Sequence, residues 1–573
     1  MENKFFHDSK KYFFSTLATF LFFFLSMNHP LYSKMIKKFP DHIFGEIVVK
    51  ISTSALNTGK RAQVLSSLQS ALGEKSIINV RAFKTDSALH VIRLSGDQDV
   101  SLALAHLRKD SWVEFAEPNF IYRALDDGAT NDPDFSKLWG MKNNGQADTT
   151  GQLGRVGADI NVLPLWKSGI IGDHKTLVGV IDTGISWSHP DLIANLYLNA
   201  GESGDLAGNG KDDDGNGFID DVHGWNFAND SNQSQDDNNH GSHCSGTIGA
   251  TGNNGVGVVG VNWNVMLLPI KFLDESGSGT LEGAVNAINY GRKMKVRLLS
   301  NSWGGKGESK AMKEAIAQAR DAGILFVAAA GNNSDDNNSI PVYPGSYPVE
   351  NVVSVAAIDN QQKIATFSNW GKNTVHVAAP GVKILSTDKT DKYITYSGTS
   401  MATPHVAGVA ALLWSANPTW TFTEIKNRLI ETSEPIQSLR RKIISMGRVS
   451  AYNAFHNIKK AYPEPDESKW KEIPQTIESE HPYRDNTDQL FTLHQAGAKF
   501  MRVRFEKLEF ESDNDFLTVE TKEGDIVSFY TGTSHPSGAT SDYIVGDTAV
   551  VHLVTDHSVT RYGFKVGHIE VID

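Results

Sequence analysis

Residues 397–414 read SGTSMATPHVAGVAALLW. Gly398 and Thr399 give way to an Ala-rich apolar run, which predicts a buried helix opening at Ser400. Pro404 is placed in its first turn, where a missing N–H costs nothing. A serine there points into the partial positive charge of the helix N-terminus, with backbone N–H groups beside it, which suits a nucleophile whose product is an oxyanion. A plain N-cap serine is the commoner use of that position, so the neighbouring segments decide. In VIDTGI (180–185), Asp182 ends the apolar run that begins at Thr176, at the carboxyl end of a buried strand, where α/β folds place their chemistry. HGSHCSGTIGA (240–250) is rich in small residues and predicts a tightly packed helix. His240 and His243 are spaced to share a helical face as a metal pair, yet the Glu of the H-E-x-x-H pattern is missing, and His243 is expected to be a buried structural histidine. Residues 155–460 alternate short β runs with helical ones, an α/β pattern.

Taken in chain order, the candidates run Asp, His, Ser, one of the orders in which a catalytic triad recurs. With AAAGNN (328–333) added, VIDTGI, HGSHCSGT and GTSMATPHVAG resemble the subtilase (subtilisin-like) serine peptidase family over about residues 135–460. The resemblance implies a doubly wound, mostly parallel sheet. It makes Ser400 the nucleophile, His240 the general base and acid, and Asp182 the carboxylate that orients His240 and steadies its imidazolium. Asn332 becomes the side-chain oxyanion donor beside the Ser400 N–H; Asn333 is the rival amide, but the family places the donor directly after Gly331. The implied reaction is peptide-bond hydrolysis in protein or peptide substrates through an acyl-enzyme. SNSWGG (300–305) resembles the strand that pairs with bound peptide, so Ser302, Trp303 and Gly304 are expected to bind substrate, core packing being the other use of Trp303.

KDDDGNGFIDD (211–221) is the densest acidic stretch of this region. Asp212, Asp214 and Asn216 take positions one, three and five of an EF-hand-like loop, Gly217 position six, Phe218 and Asp220 positions seven and nine. Position twelve is His223 rather than Glu. Calcium is the expected cofactor, an acidic solvent loop the alternative. Family resemblance suggests a second calcium site at Asp191 and Asn254. Cys244 follows His240 by one helical turn and resembles the free thiol beneath the catalytic histidine in a subgroup of subtilases; a small buried core residue is its other reading.

The 573 residues exceed one ordinary domain. The net charge of −12 argues against binding nucleic acid through a general basic field. It is unevenly spread: residues 1–125 carry 16 basic and 11 acidic groups, leaving −17 on the rest. One cysteine excludes an intramolecular disulfide and a Cys-rich zinc site. Lysines ahead of the apolar segment 12–27 make residues 1–28 a secretory signal, an uncleaved anchor being the alternative, so the protein is expected to be secreted.

Within 36–125 a β-α-β-β-α-β order reads as a ferredoxin-like unit. Through VEFAEPNFIYRAL (113–125) it resembles an inhibitor-type subtilase propeptide, which implies self-processing and transient inhibition; a permanent regulatory domain is the alternative. The catalytic domain is placed at 132–460 and a Pro- and charge-rich linker at 461–485. An all-β sandwich at 486–573 is similar to CUB domains, with an unrelated jelly-roll-like module as the alternative. Glu511, Asp515 and Asp556 match acidic positions that bind calcium in part of that family. The domain is expected to bind a surface or assist substrate capture. A catalytically silent binding protein of the same fold would need a broken triad, and a metal hydrolase using His240 and His243 would need a third ligand at a known spacing.

Overall fold

A computed structural model describes residues 42–573 except 53–60, 73–76, 85, 96–99, 121–129, 149, 513, 534 and 536. The expected export segment at 1–28 lies outside the described residues. The chain divides into two units, 1–127 and 128–573.

The first unit contains β1 (His42–Ile51), a helix Arg61–Leu72, β2 (Ile77–Ala82), β3 (Leu89–Leu94), a helix Val100–Leu107 and β4 (Val113–Phe120). The strands form one sheet in the order β2-β3-β1-β4, every neighbour antiparallel. Alternate residues of β1, Ile47 and Val49, meet Val64, Ala103, Leu104 and Leu107 of the two helices in a common core.

The second unit is built on β5 (Gly172–Asp182), β6 (Trp225–Asn226), β7 (Asn264–Lys271), β8 (Leu298–Asn301), β9 (Leu325–Ala329), β10 (Val352–Ile358), β11 (Val377–Pro380), β14 (Glu434–Pro435) and β15 (Gly447–Arg448). A hairpin of β12 (Ile384–Thr387) and β13 (Tyr393–Tyr396) stands outside their sheet. The sheet order is β14-β15-β11-β10-β9-β8-β5-β7-β6; every pair is parallel except β14/β15. Both faces are covered, as a parallel sheet requires. Val178 and Val180 of β5 face the core that includes the helix Thr399–Ala416, while Leu177 and Ile181 face the helices Leu281–Lys293 and Lys310–Asp321. The chain runs from β5 to β6 and β7 on one side and then crosses to β8 on the other. Asp182 therefore ends the strand at which the winding reverses, the place where open α/β sheets bind ligands.

Pro404 lies inside the helix Thr399–Ala416 and not in its first turn. A proline donates no N–H to the carbonyl four residues back. The freed Ser400 carbonyl accepts instead from Ser302 Oγ at 2.9 Å and Cys244 Sγ at 3.4 Å.

The C-terminal strands are β16 (Lys471–Pro474), β17 (Asp488–His494), β18 (Phe500–Glu509), β19 (Phe516–Thr521), β20 (Ile526–Thr531), β21 (Ala539–Thr540), β22 (Ile544–Val545), β23 (Thr548–Val554) and β24 (Gly563–Ile572). One sheet runs β16-β24-β18-β21, with β22 also on β18; the other runs β17-β23-β19-β20. Val503, Phe505, Ile569 and Val571 of the first share a core with Leu517, Val519, Val551 and Leu553 of the second. The segment 461–485 is not a free linker. Its β16 pairs with β24, and Tyr483 is buried in the same core. Arg440 ties the two parts of this unit together: it pairs with Asp542 at 2.5 Å and lies 3.8 Å from the centre of the Tyr543 ring.

Candidate active site

Asp182 is fully buried, and its Oδ1 accepts from Thr183 N at 2.8 Å and from His240 Nδ1 at 2.7 Å. His240 opens the helix His240–Gly249 directly after Asn239, whose φ of 107° lies in the left-handed region. That abrupt start is held by other residues. Thr183 Oγ1 accepts from Gly241 N, Asp236 Oδ2 accepts from Ser242 N, and the Thr183 hydroxyl donates to Asp236. The helix approaches β5 so closely that a Cβ on Gly241 would stand 2.1 Å from the Gly184 carbonyl oxygen, so only glycine fits. Thr183 and Asp236 were not singled out from the sequence. The available signal was an acidic residue just ahead of a helix start, where it satisfies orphan N–H groups.

Burial opposes a charged imidazole at His240, and the adjacent Asp182 carboxylate together with the Cys244 sulfur outweighs it, holding His240 above its ordinary value. Cys244 is buried, its Sγ 4.0 Å from His240 Nδ1. Burial pushes its thiol up, so at neutral pH it is an uncharged donor rather than a nucleophile. His243 does not join His240. It is fully buried with Nε2 2.9 Å from the Ile384 carbonyl oxygen, and burial drives its pKa down to about 3.

Ser400 is held reciprocally with Ser302: the Ser400 hydroxyl donates to the Ser302 carbonyl at 3.0 Å, and the Ser302 hydroxyl returns a bond to the Ser400 carbonyl. Asn332 Oδ1 accepts from Thr399 N at 2.8 Å and from its hydroxyl at 2.9 Å. Those bonds occupy the amide oxygen and leave the NH₂ group as the donor beside Ser400. Asn333 instead gives its backbone N–H to Asn369. A groove of about 220 Å³ runs alongside, lined by Trp303, Gly304, Gly331, Asn332, Val342 and Ser400. The Trp303 ring meets Phe272 edge-on at 4.7 Å, so it serves the core as well as the groove wall.

The acidic loop gathers differently from its linear spacing. Carboxylate oxygens of Asp214, Glu202 and Asp221 lie within 4.8 Å of one another, and Asn216 Nδ2 reaches Asp214 and Asp221 at 3.1 and 3.0 Å. Asp212 accepts from Asn216 N and Gly217 N within its own turn, Asp220 accepts from Asn209 N and Gly210 N, and the half-buried Phe218 ring packs on Tyr290. Asp191 and Asn254 do meet, at 2.8 Å, and Asp132 approaches the same loop by accepting from Asn254 N. Burial raises the carboxyl pKa of Asp191, Asp132 and Asp221. Glu511, Asp515 and Asp556 also converge within 4.8 Å.

A family model described as the subtilase family matches residues 173–465. The chain is 38% identical over 304 residues to Subtilisin-like protease 1 of Plasmodium berghei (strain Anka), covering 50% of this chain and 50% of that protein. It is 37% identical over 257 residues to Subtilisin DY of Bacillus licheniformis, covering 45% and 82%. To the Thermophilic serine proteinase of Bacillus sp. (strain AK1) it is 30% identical over 413 residues, covering 72% and 88%. The chain thus spans half the length of the Plasmodium relative and most of the two Bacillus relatives.

Proposed function

The chain belongs to the subtilase family of serine endopeptidases, and we propose that it is a secreted endopeptidase, made as a self-processed zymogen, with Asp182, His240 and Ser400 as its triad. The observation that carries this reading is the 2.7 Å contact of Asp182 with His240, on a helix whose Cys244 also bonds the Ser400 carbonyl. Rotation about the Ser400 Cα–Cβ bond turns its hydroxyl from the Ser302 carbonyl to His240. The imidazole takes the proton as the oxygen attacks the peptide carbonyl, and Asp182 stabilises the resulting cation. The oxyanion is received by Asn332 Nδ2 and the Ser400 N–H at the helix N-terminus. His240 then protonates the departing amine, and water repeats the sequence on the acyl-enzyme. A fluorophosphonate probe together with a broad peptide substrate tests this. Labelling at Ser400 and loss of hydrolysis in Ser400→Ala are expected; hydrolysis that survives in Ser400→Ala refutes it.

The first unit fits a ferredoxin-like propeptide that folds with the enzyme, is cut away by it and inhibits it in passing. A purified Ser400→Ala precursor should remain uncut. The C-terminal sheets fit a CUB-like sandwich that binds a surface or assists substrate capture. Calcium suits the hard oxygen donors of three places. Buried Glu202 Oε2 has no hydrogen-bond partner beside Asp214 and Asp221, with Asn216 able to present its amide oxygen. Glu511 Oε2 is similarly unpartnered beside Asp515 and Asp556, and Asp191 with Asn254 forms the third place. Bound there, calcium offsets the mutual repulsion of these carboxylates and so supports the fold.

A further inference from the structure

A second chemistry lies on the outer face of the C-terminal sheet. In β24, Ile569 and Val571 point into the core, so His568 and Glu570 stand on the opposite face, one pleat apart. The antiparallel register puts Glu472 of β16 directly across from Glu570 and Arg502 of β18 on its other side. His568 Nε2 is enclosed yet has no hydrogen-bond partner. It lies 3.7 Å from Glu570 Oε1 and 3.9 Å from Glu472 Oε1, too far for hydrogen bonds. One ligand atom from each of the three residues falls within 4.8 Å of the others, close enough for one ion to reach all three, zinc bonds to imidazole and carboxylate being ~2.0–2.2 Å.

We propose that Glu472, His568 and Glu570 form a binding site for a divalent transition metal of the zinc class. Imidazole with carboxylates suits zinc, whereas calcium takes oxygen ligands. Arg502 Nε bonds Glu570 Oε2, which leaves Oε1 turned toward His568 and fixes the ligand as an outer-shell partner does. Arg502 also pairs with Glu467, and Arg504, directly across from His568, bonds the Thr540 hydroxyl, so Glu467, Glu472 and Glu570 outnumber the two arginines. Three protein ligands leave a fourth position for water. The metal joins β16, the first strand after the catalytic region, to the C-terminal strand of the sheet, and so pins the edge where the C-terminal part begins.

The test is a Co²⁺ titration of the full chain in excess calcium. A Cys244→Ala background removes the thiol from Asp182, His240 and Cys244, the other cluster among the described residues that could take a soft metal. One Co²⁺ per chain with a visible d–d band is expected, displaced by stoichiometric Zn²⁺. His568→Ala should abolish the band, and Glu472→Gln, a change at an exposed edge residue, should weaken binding at least tenfold. Zn²⁺ should raise the unfolding temperature of the parent and leave that of His568→Ala unchanged. Absence of a site tighter than about 1 mM, or a band that persists unchanged in either variant, overturns the assignment.

Discussion

Acid should weaken this fold through three histidines that carry no catalytic role: His376, whose pKa burial lowers to about 3, and the pair His243 and His405. His243 and His405 are both buried, His243 against the Ile384 carbonyl and His405 with Nδ1 2.8 Å from the Met401 carbonyl oxygen. Burial holds their pKa values down to about 3 and about 4, whereas an unfolded histidine titrates near 6.5. Below pH 6.5 the unfolded chain therefore binds protons that the native chain refuses. The stability these neutral rings allow is complete above pH 6.5 and is lost as pH falls. At pH 5 the loss is about 2 kcal/mol for each ring, or about 4 kcal/mol for the pair. The buried carboxyls of Asp191 and Asp221, whose pKa values are raised, act in the opposite direction, so the measurement must be a difference. Urea unfolding of the Ser400→Ala chain and of Ser400→Ala/His405→Asn, followed by tryptophan fluorescence in saturating calcium at pH 8 and pH 5, isolates one ring. The introduced amide retains a donor for the Met401 carbonyl. The double variant should lose about 2 kcal/mol less than its parent between the two pH values. Equal losses in the two proteins would refute the reasoning.

Asn332→Ala should lower kcat by ~10²–10³ while KM changes little, since its amide meets the oxyanion rather than the ground-state carbonyl; a KM effect alone would contradict that role. Asp182 holds His240 above its ordinary value, so the acid limb of kcat/KM should fall on the alkaline side of pH 6.5, and a midpoint below that would argue against His240 as the base. Mercurials should inhibit the enzyme, and Cys244→Ala should lose that sensitivity while keeping activity, because Ser302 still holds the Ser400 carbonyl; equal inhibition of both proteins would remove the thiol from the account. Excess chelator should lower the melting temperature, and an unchanged melting curve would dismiss calcium.

The residues proposed as the triad stood out as candidates because each sits beside small residues that close packing requires. Gly241 against the Gly184 carbonyl is the plainest case, and a spacing rule can find such residues without knowing the fold. The acidic clusters were only half legible. Asp214 and Asp221 both stood in the dense stretch, but Asp221 fell outside the assigned ligand positions, Glu202 comes from an earlier turn, and Asp132 reaches the loop of Asn254 from far upstream in the sequence. Local ligand spacing assumes one continuous loop, whereas here the chain folds acids from several turns onto one point. The segment 461–485 misled for a different reason. A four-residue edge strand with one half-buried residue, Ile473, has no alternation long enough to distinguish it from a linker, and the pairing with β24 becomes visible only once both ends of the domain are together.

Pro404 bears most directly on how the site is assembled. An interior proline costs a helix about 3 kcal/mol in ordinary contexts, chiefly through a lost hydrogen bond and a steric clash. Here the carbonyl left without its helical partner belongs to Ser400, and two other elements take it up. Ser302 comes from the end of β8 and Cys244 from the helix that His240 opens. The proposed nucleophile, the strand expected to hold substrate and the helix of the proposed base are therefore joined through one backbone oxygen. In the proposed reaction, a backbone anchor of this kind would stay fixed while the Ser400 hydroxyl rotates and gives up its proton. Side chains that must move during the reaction are thus spared from holding its parts in place.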